Sequence, residues 1–243
     1  MITSPILEIR NLTKRYRSLT AVNDVSFSVH QGEILGLIGP NGSGKTTLFE
    51  CLGGTLPADN GSVLLNGQPL SGTERKSVLF YLPDAITPWP AQSLRWALEF
   101  CLGLFDGRSD LRDEVVRRLD LAALLDQRMV ALSKGQRKRA LLAIGLLMPQ
   151  PLLVADEPFE GLDLPQTREI ALALRSFAGE KRTMLLSIHQ ISDAARVCDR
   201  FVLLSAGRVC GEGTLRELSN LAGERKGRTS FNADLEEVFL ALT

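Results

Sequence analysis

The stretch Gly39-Pro40-Asn41-Gly42-Ser43-Gly44-Lys45-Thr46 satisfies the pattern G-x-x-x-x-G-K-[ST] at every fixed position. It follows Glu33-Ile34-Leu35-Gly36-Leu37-Ile38, which reads as a buried strand, and it opens a helix predicted over residues 46–52. Gly42 and Gly44 let the backbone curl so that successive N–H groups face one anion. The helix N-terminus adds partial positive charge at the same place. Lys45 can reach the β- and γ-phosphates of a nucleoside triphosphate, and Thr46 offers a hard oxygen to Mg²⁺. A Gly-rich turn beside a surface lysine is the bland alternative, and the flanking strand and helix argue against it.

Working outward, residues 6–10 and 25–29 alternate apolar with polar and read as half-buried strands. Gln31-Gly32 and Asn66-Gly67 are turns, and Asp59-Asn60-Gly61 reads as a hairpin-type turn before a short strand over 62–65. Residues 78–82 form a further strand. Over 91–132 the apolar spacing becomes helical: Leu94, Ala97, Leu98 and Cys101 share one face, and Val115, Leu119, Leu121 and Leu124 a second. Ser133 stands at a helix start, with helix continuing over 137–147. Strands at 152–155 and 183–188 alternate with helices at 166–177 and 191–197. A late hairpin turns at Ala206-Gly207. Strands alternating with helices give a mainly parallel sheet covered on both faces. The stretch 220–232 is the least regular, and Gly223-Glu224-Arg225-Lys226-Gly227-Arg228 reads as a solvated connector rather than a basic lipid or nucleic-acid contact.

Leu152-Leu153-Val154-Ala155-Asp156-Glu157 sets two carboxylates at the carboxyl end of a buried strand, the edge where open α/β sheets bind ligands. Adjacent strand residues point opposite ways, so the two acids need different tasks. Asp156 suits Mg²⁺, through water, and Glu157 suits polarising an attacking water. Solvated strand-end acids are the alternative, weakened by the phosphate loop nearby.

A chain of 243 residues fits one large α/β domain with a helical insertion. Lys plus Arg number 28 and so do Asp plus Glu, so no basic excess marks a nucleic-acid binder. Cys51, Cys101, Cys198 and Cys210 are scattered without a CxxC pair, which favours buried reduced thiols over a disulfide framework or zinc. The most apolar stretch, 140–155, is broken by Met148-Pro149-Gln150-Pro151 and is too short to span a bilayer. Met1-Ile2-Thr3-Ser4-Pro5 lacks the basic start and apolar run of a signal peptide, so a cytoplasmic location is expected.

Four further segments fall in order along the chain. Leu132-Ser133-Lys134-Gly135-Gln136 resembles the LSGGQ signature of ATP-binding-cassette (ABC) proteins. Gly161-Leu162-Asp163 is similar to that family's D-loop, His189 to its switch histidine, and Tyr16 to the aromatic that stacks on adenine. The phosphate loop alone would allow kinases, helicases or small GTPases; the signature narrows the choice. The resemblance implies a RecA-like P-loop NTPase core over 1–83 and 150–215 with an N-terminal antiparallel β part. It implies an inserted α-helical subdomain over 84–149 and a tail helix within 216–243. It further implies ATP and Mg²⁺ as cofactors, held by Tyr16, Gly39, Pro40, Asn41, Gly42, Ser43, Gly44, Lys45, Thr46 and Thr47. Two copies, or a mixed pair, would pack head to tail. Ser133, Gly135 and Gln136 of one would then cap the γ-phosphate held by the other, and Asp163 would tie the pair. His189 would contact that phosphate. The implied role is an ATPase motor on a separate membrane permease, peripheral on the inner face of the membrane. The closing stretch 234–243 resembles the branch that serves ABC-2-type exporters, although its amphipathic spacing is equally that of any docked terminal helix.

Two positions depart from the family pattern. Lys134 stands where glycine is usual and should face solvent. Asp84, after Pro83, stands where the family's Q-loop has glutamine, and is expected to keep a role as a Mg²⁺ ligand. Just beyond, Phe100 and Phe105 read as subdomain core, and Trp89, between Pro88 and Pro90, as a docking residue for a membrane partner. Two rival readings are a soluble cassette acting on ribosomes or DNA and a nucleotide-binding regulator without turnover. The first would need a second cassette or a long coiled-coil insert. The second sits badly with Glu157 and His189 both present.

Overall fold

The computed structural model describes residues 5–84, 86–179, 182–225 and 234–243. A long hairpin of β1 (Pro5–Tyr16) and β2 (Leu19–His30) leads into β3 (Ile34–Ile38), the phosphate loop and α1 (Lys45–Leu52). Then come β4 (Asn60–Leu65), β5 (Gln68–Pro69), α2 (Gly72–Val78) and β6 (Leu79–Leu82). A helical segment carries α3 (Leu94–Leu104), α4 (Arg112–Arg118) and α5 (Lys134–Leu147). The chain returns through β7 (Leu152–Ala155), α6 (Leu164–Phe177), β8 (Thr183–Ile188) and α7 (Ile191–Val197). It closes with β9 (Arg200–Ser205), β10 (Arg208–Gly213), α8 (Leu215–Arg225) and α9 (Leu235–Leu242).

Two sheets result. One is antiparallel, in the order β2-β1-β4-β5; the other runs β10-β9-β3-β8-β7-β6, with all but β10 parallel. Every residue of β3 and β7 is buried, as strands covered on both faces require. Alternation sends Ile34 and Ile38 into the core shared with the helical segment, and Leu35 and Leu37 into the core between the sheets. The parallel register lines up the strand ends. Ile38 pairs with Ile188, Ala155 with Leu186, and Leu82 with Ala155. Gly39, Asp156, His189 and Pro83 therefore leave the sheet along one edge.

Several local expectations are corrected. Asp59-Asn60-Gly61 is not a hairpin turn: Asn60 already pairs with Thr13, and the Asp59 carboxylate accepts from the Arg15 amide at 2.6 Å. Gly61, at φ +90°, lies where a Cβ would meet the Asn11 and Arg10 carbonyls at 2.5 and 2.6 Å, so close approach to β1 sets this residue. Val78 ends a short helix, α2, that periodicity does not reveal because Val78 is its one buried residue. Leu121 and Leu124 lie beyond α4, around a 3₁₀ turn. Gly223, Glu224 and Arg225 are helical, as the last residues of α8, while Lys226-Gly227-Arg228 fall outside the described residues. Cys51, Cys101 and Cys198 are buried free thiols, whereas Cys210 is only half-buried. Phe100 packs on the core, but Phe105 is exposed. No described helix is long and apolar enough to cross a membrane.

Candidate active site

The loop after β3 ends on Gly44, the residue that caps α1 from a left-handed backbone of φ +104°. A Cβ there would stand 2.3 Å from the Ala21 carbonyl oxygen, so only glycine lets the loop lie against β2. A second brace comes from the β9–β10 turn, where Gly207 donates to the Ser43 carbonyl at 3.0 Å. Lys45 is buried, and its ammonium donates to the carbonyls of Gly39 (2.9 Å) and Pro40 (3.3 Å) and lies 3.8 Å from Glu157 Oε1. Burial lowers the Lys45 pKa, while the Glu157 and Asp156 charges oppose that shift.

β7 delivers the two acids. Asp156 is 3% exposed; Ser187 of β8 donates to its Oδ1, and Oδ2 has no hydrogen-bond partner within the protein. A buried carboxylate oxygen without a donor is the group a hard cation would satisfy, and Thr46, in the first turn of α1, lines the groove at the phosphate loop. Among the described residues no cluster of three or more acidic, His or Cys side chains forms a metal cage. These donors fit Mg²⁺, which binds one or two protein oxygens together with substrate phosphates. Glu157 adopts φ +46°, a left-handed backbone that costs a non-glycine residue about 1–3 kcal/mol. It is held from both sides. The Glu157 amide donates to Ser187 Oγ at 2.9 Å, and its carbonyl accepts from Lys138 Nζ at 2.7 Å.

A groove collects Tyr16, Asn41, Gly42, Gly44, Lys45, Thr46, Thr47 and Glu157, with Leu19 and Ala21. Tyr16, 43% exposed at the tip of the first hairpin, thus reaches the phosphate loop from 23 or more residues upstream. Beside it a second depression joins Asn41 and Glu157 to Gly161, Leu162 and His189. Ser133 and Gly135 do not line either wall. Ser133 caps α5, with Ser133 Oγ accepting from the Gln136 amide (3.3 Å) and Gln136 Oε1 accepting from the Ser133 amide (2.9 Å). Gly135 packs so tightly that a Cβ would sit 2.9 Å from Gln166 Oε1 and 3.0 Å from Leu162. Asp163 caps α6 by accepting from the Gln166 amide at 2.9 Å. Lys134 faces solvent, as expected, and pairs with Glu160 at 3.0 Å.

The structure gives Asp84 a partner that the sequence does not suggest: its carboxylate lies against the Lys138 ammonium. Lys138 and Ser187 are the two residues of this site that motif reading misses. Each leaves a trace, since Ser187 interrupts the apolar run of β8 and Lys138 falls in the buried stripe of α5 with Gly135, Leu142 and Gly145. A buried polar side chain needs a partner.

Against known proteins, the ABC transporter family model matches residues 22–160. The chain is 29% identical over 225 residues to the SkfA peptide export ATP-binding protein SkfE of Bacillus subtilis, covering 91% of this chain and 94% of that one. It is 33% identical over 222 residues to the sulfate/thiosulfate import ATP-binding protein cysA of Cucumis sativus, covering 87% and 63%. A solved ATP-binding subunit of an ABC transporter superposes with TM-score 0.82 at 27% identity, covering 98% of this chain and 99% of that one. The family model spans more than half of the chain, and the chain belongs to the ABC transporter family, as an ATP-binding subunit that hydrolyses ATP to power transport.

Proposed function

We propose that two such subunits close head to tail on two ATP molecules. The observation that carries this reading is the division of the site. Tyr16, the phosphate loop and Glu157 share one groove, while the α5 N-terminus, with Ser133 exposed, stands outside it. The capping box occupies the amides of Ser133 and Gln136, which leaves those of Lys134 and Gly135 directed out of the helix. A helix start of that kind binds an anion, and a facing copy supplies one.

Within each groove Tyr16 stacks on the base, and Lys45 with the loop amides holds the β- and γ-phosphates. Thr46 and Asp156 hold Mg²⁺, which neutralises phosphate charge. Glu157 accepts the proton of the attacking water, and His189 contacts the γ-phosphate. Asp163 meets the facing subunit. The membrane partner is a separate permease, of ABC-2 type, and the working direction is export. The name of SkfE and the closing helix α9 support that direction, and the name of cysA favours import. The subunit then sits on the cytoplasmic face of the membrane.

The test is the purified Glu157→Gln chain with Mg²⁺ and saturating ATP. Light scattering should report a dimer that dissociates on EDTA addition. A chain that binds ATP yet stays monomeric would defeat the sandwich, and a chain that binds no nucleotide would defeat the site.

A further inference from the structure

We propose that Lys138 is a positioning residue that ties the signature helix to the catalytic carboxylate, and that Asp84 is present to neutralise it. The proposal rests on the ATPase reading above. Three elements meet at one ammonium. Lys138 comes from α5, five residues after Ser133; its Nζ lies against the Asp84 carboxylate beyond β6 and donates to the Glu157 carbonyl beyond β7 at 2.7 Å.

The energetics give each member its part. The Lys138 side chain is only 8% exposed, and a buried ammonium without a counter-charge is costly. Asp84, 30% exposed, supplies that counter-charge. A glutamine there, as in the usual family pattern, would offer a dipole but no charge. The departure at position 84 is therefore matched by the lysine it touches, and this assignment replaces the expected role of Asp84 as a metal ligand.

Glu157 holds a strained φ of +46°, which persists only when the surroundings over-determine it. Ser187 fixes its amide and Lys138 fixes its carbonyl. Shifting α5 by a fraction of an ångström moves the Glu157 carbonyl, and with it the carboxylate that must meet the water. Ser133 at the start of that same helix is where the facing subunit's nucleotide docks. Occupancy of one site thus adjusts the base of the other.

The experiment uses the full-length chain. Lys138→Met should lower kcat by about 100-fold, the order expected for an ångström of misplacement, while KM for ATP changes less than about three-fold. In the Glu157→Gln background, Lys138→Met should still dimerise with ATP. Removing one buried charge can unfold a chain, so the neutral pair Asp84→Asn/Lys138→Gln, which leaves no charge stranded, is measured alongside and must show the same split. A kcat near wild type in either variant overturns the proposal. So does a joint loss of kcat, ATP binding and dimerisation in the neutral pair, which would make the contact merely structural. A wild-type chain without ATPase activity would defeat the underlying function instead.

Discussion

At the scale of single residues, the site depends on groups that chemistry cannot replace. Glu157 is the carboxylate placed 3.8 Å from Lys45 in the groove wall, so Glu157→Gln keeps the shape and removes the proposed base. General-base loss is worth about 10²–10⁴-fold, and the steady-state ATPase rate should fall by that much with ATP affinity retained. A titration with fluorescent nucleotide beside the ATPase assay checks both halves. Gly44→Ala acts by a different route. It forces a Cβ to within 2.3 Å of the Ala21 carbonyl at φ +104°. The left-handed backbone alone costs about 1–2 kcal/mol, so the thermal midpoint should drop by at least several degrees for a chain of this size. Nucleotide binding should fall with it, because the same loop makes both contacts.

At the scale of elements, α5 is fastened at both ends. Its start carries the Ser133–Gln136 capping box; its end carries Arg182, whose guanidinium donates to the carbonyls of Gly145 (2.7 Å) and Met148. Arg182 is 5% exposed, and burial pushes its pKa down to about 10, so it remains a cation at neutral pH. Arg182→Met strips the Met148 carbonyl of its donor, at about 1–3 kcal/mol, and leaves the Gly145 carbonyl only the Met148 amide at 3.3 Å. Calorimetry should show a fall of roughly 2–12 °C in the unfolding midpoint. Reading the chain finds α5, β3, β7 and β8, because each carries a long periodic or unbroken apolar run. It misses α2, whose Ser71–Glu74 capping box is legible but whose single buried residue gives no stripe. It misreads Asn60-Gly61 because a sharp turn and a close strand approach both select Gly. The Asp84–Lys138 contact joins residues 54 apart, and no local pattern reports on such a pair. The phosphate loop and acidic strand end are legible because their chemistry is contiguous in sequence, whereas the clamp on Glu157 comes from β8 and α5.

At the scale of the molecule, β6 leads into the candidate site at Asp84 and also lines a surface groove, which we propose as the seat of a membrane partner. This strand is one of the two edge strands of the six-stranded sheet. A groove along it is lined by Leu79, Phe80, Tyr81, Pro83 and the exposed Phe105. Trp89, expected to dock a partner, is half-buried and packs its ring at 5.8 Å from Trp96 and 5.2 Å from Phe100. We propose Phe105, 42% exposed and lining the groove, as the anchor. Pro83 leads directly to Asp84, so a permease helix seated against β6 would press on the residue that faces Lys138, and hence on Glu157. Phe105→Asp puts a charge into that groove without touching the phosphate loop. Loss of one aromatic anchor of about 2 kcal/mol corresponds to roughly 30-fold in affinity. Pull-down of the membrane partner in detergent should fall by that order, while Mg²⁺-dependent hydrolysis by the isolated chain stays within about two-fold. Undiminished recovery of the partner would move the docking site off β6, and a parallel loss of hydrolysis would show that the groove and the site are one unit.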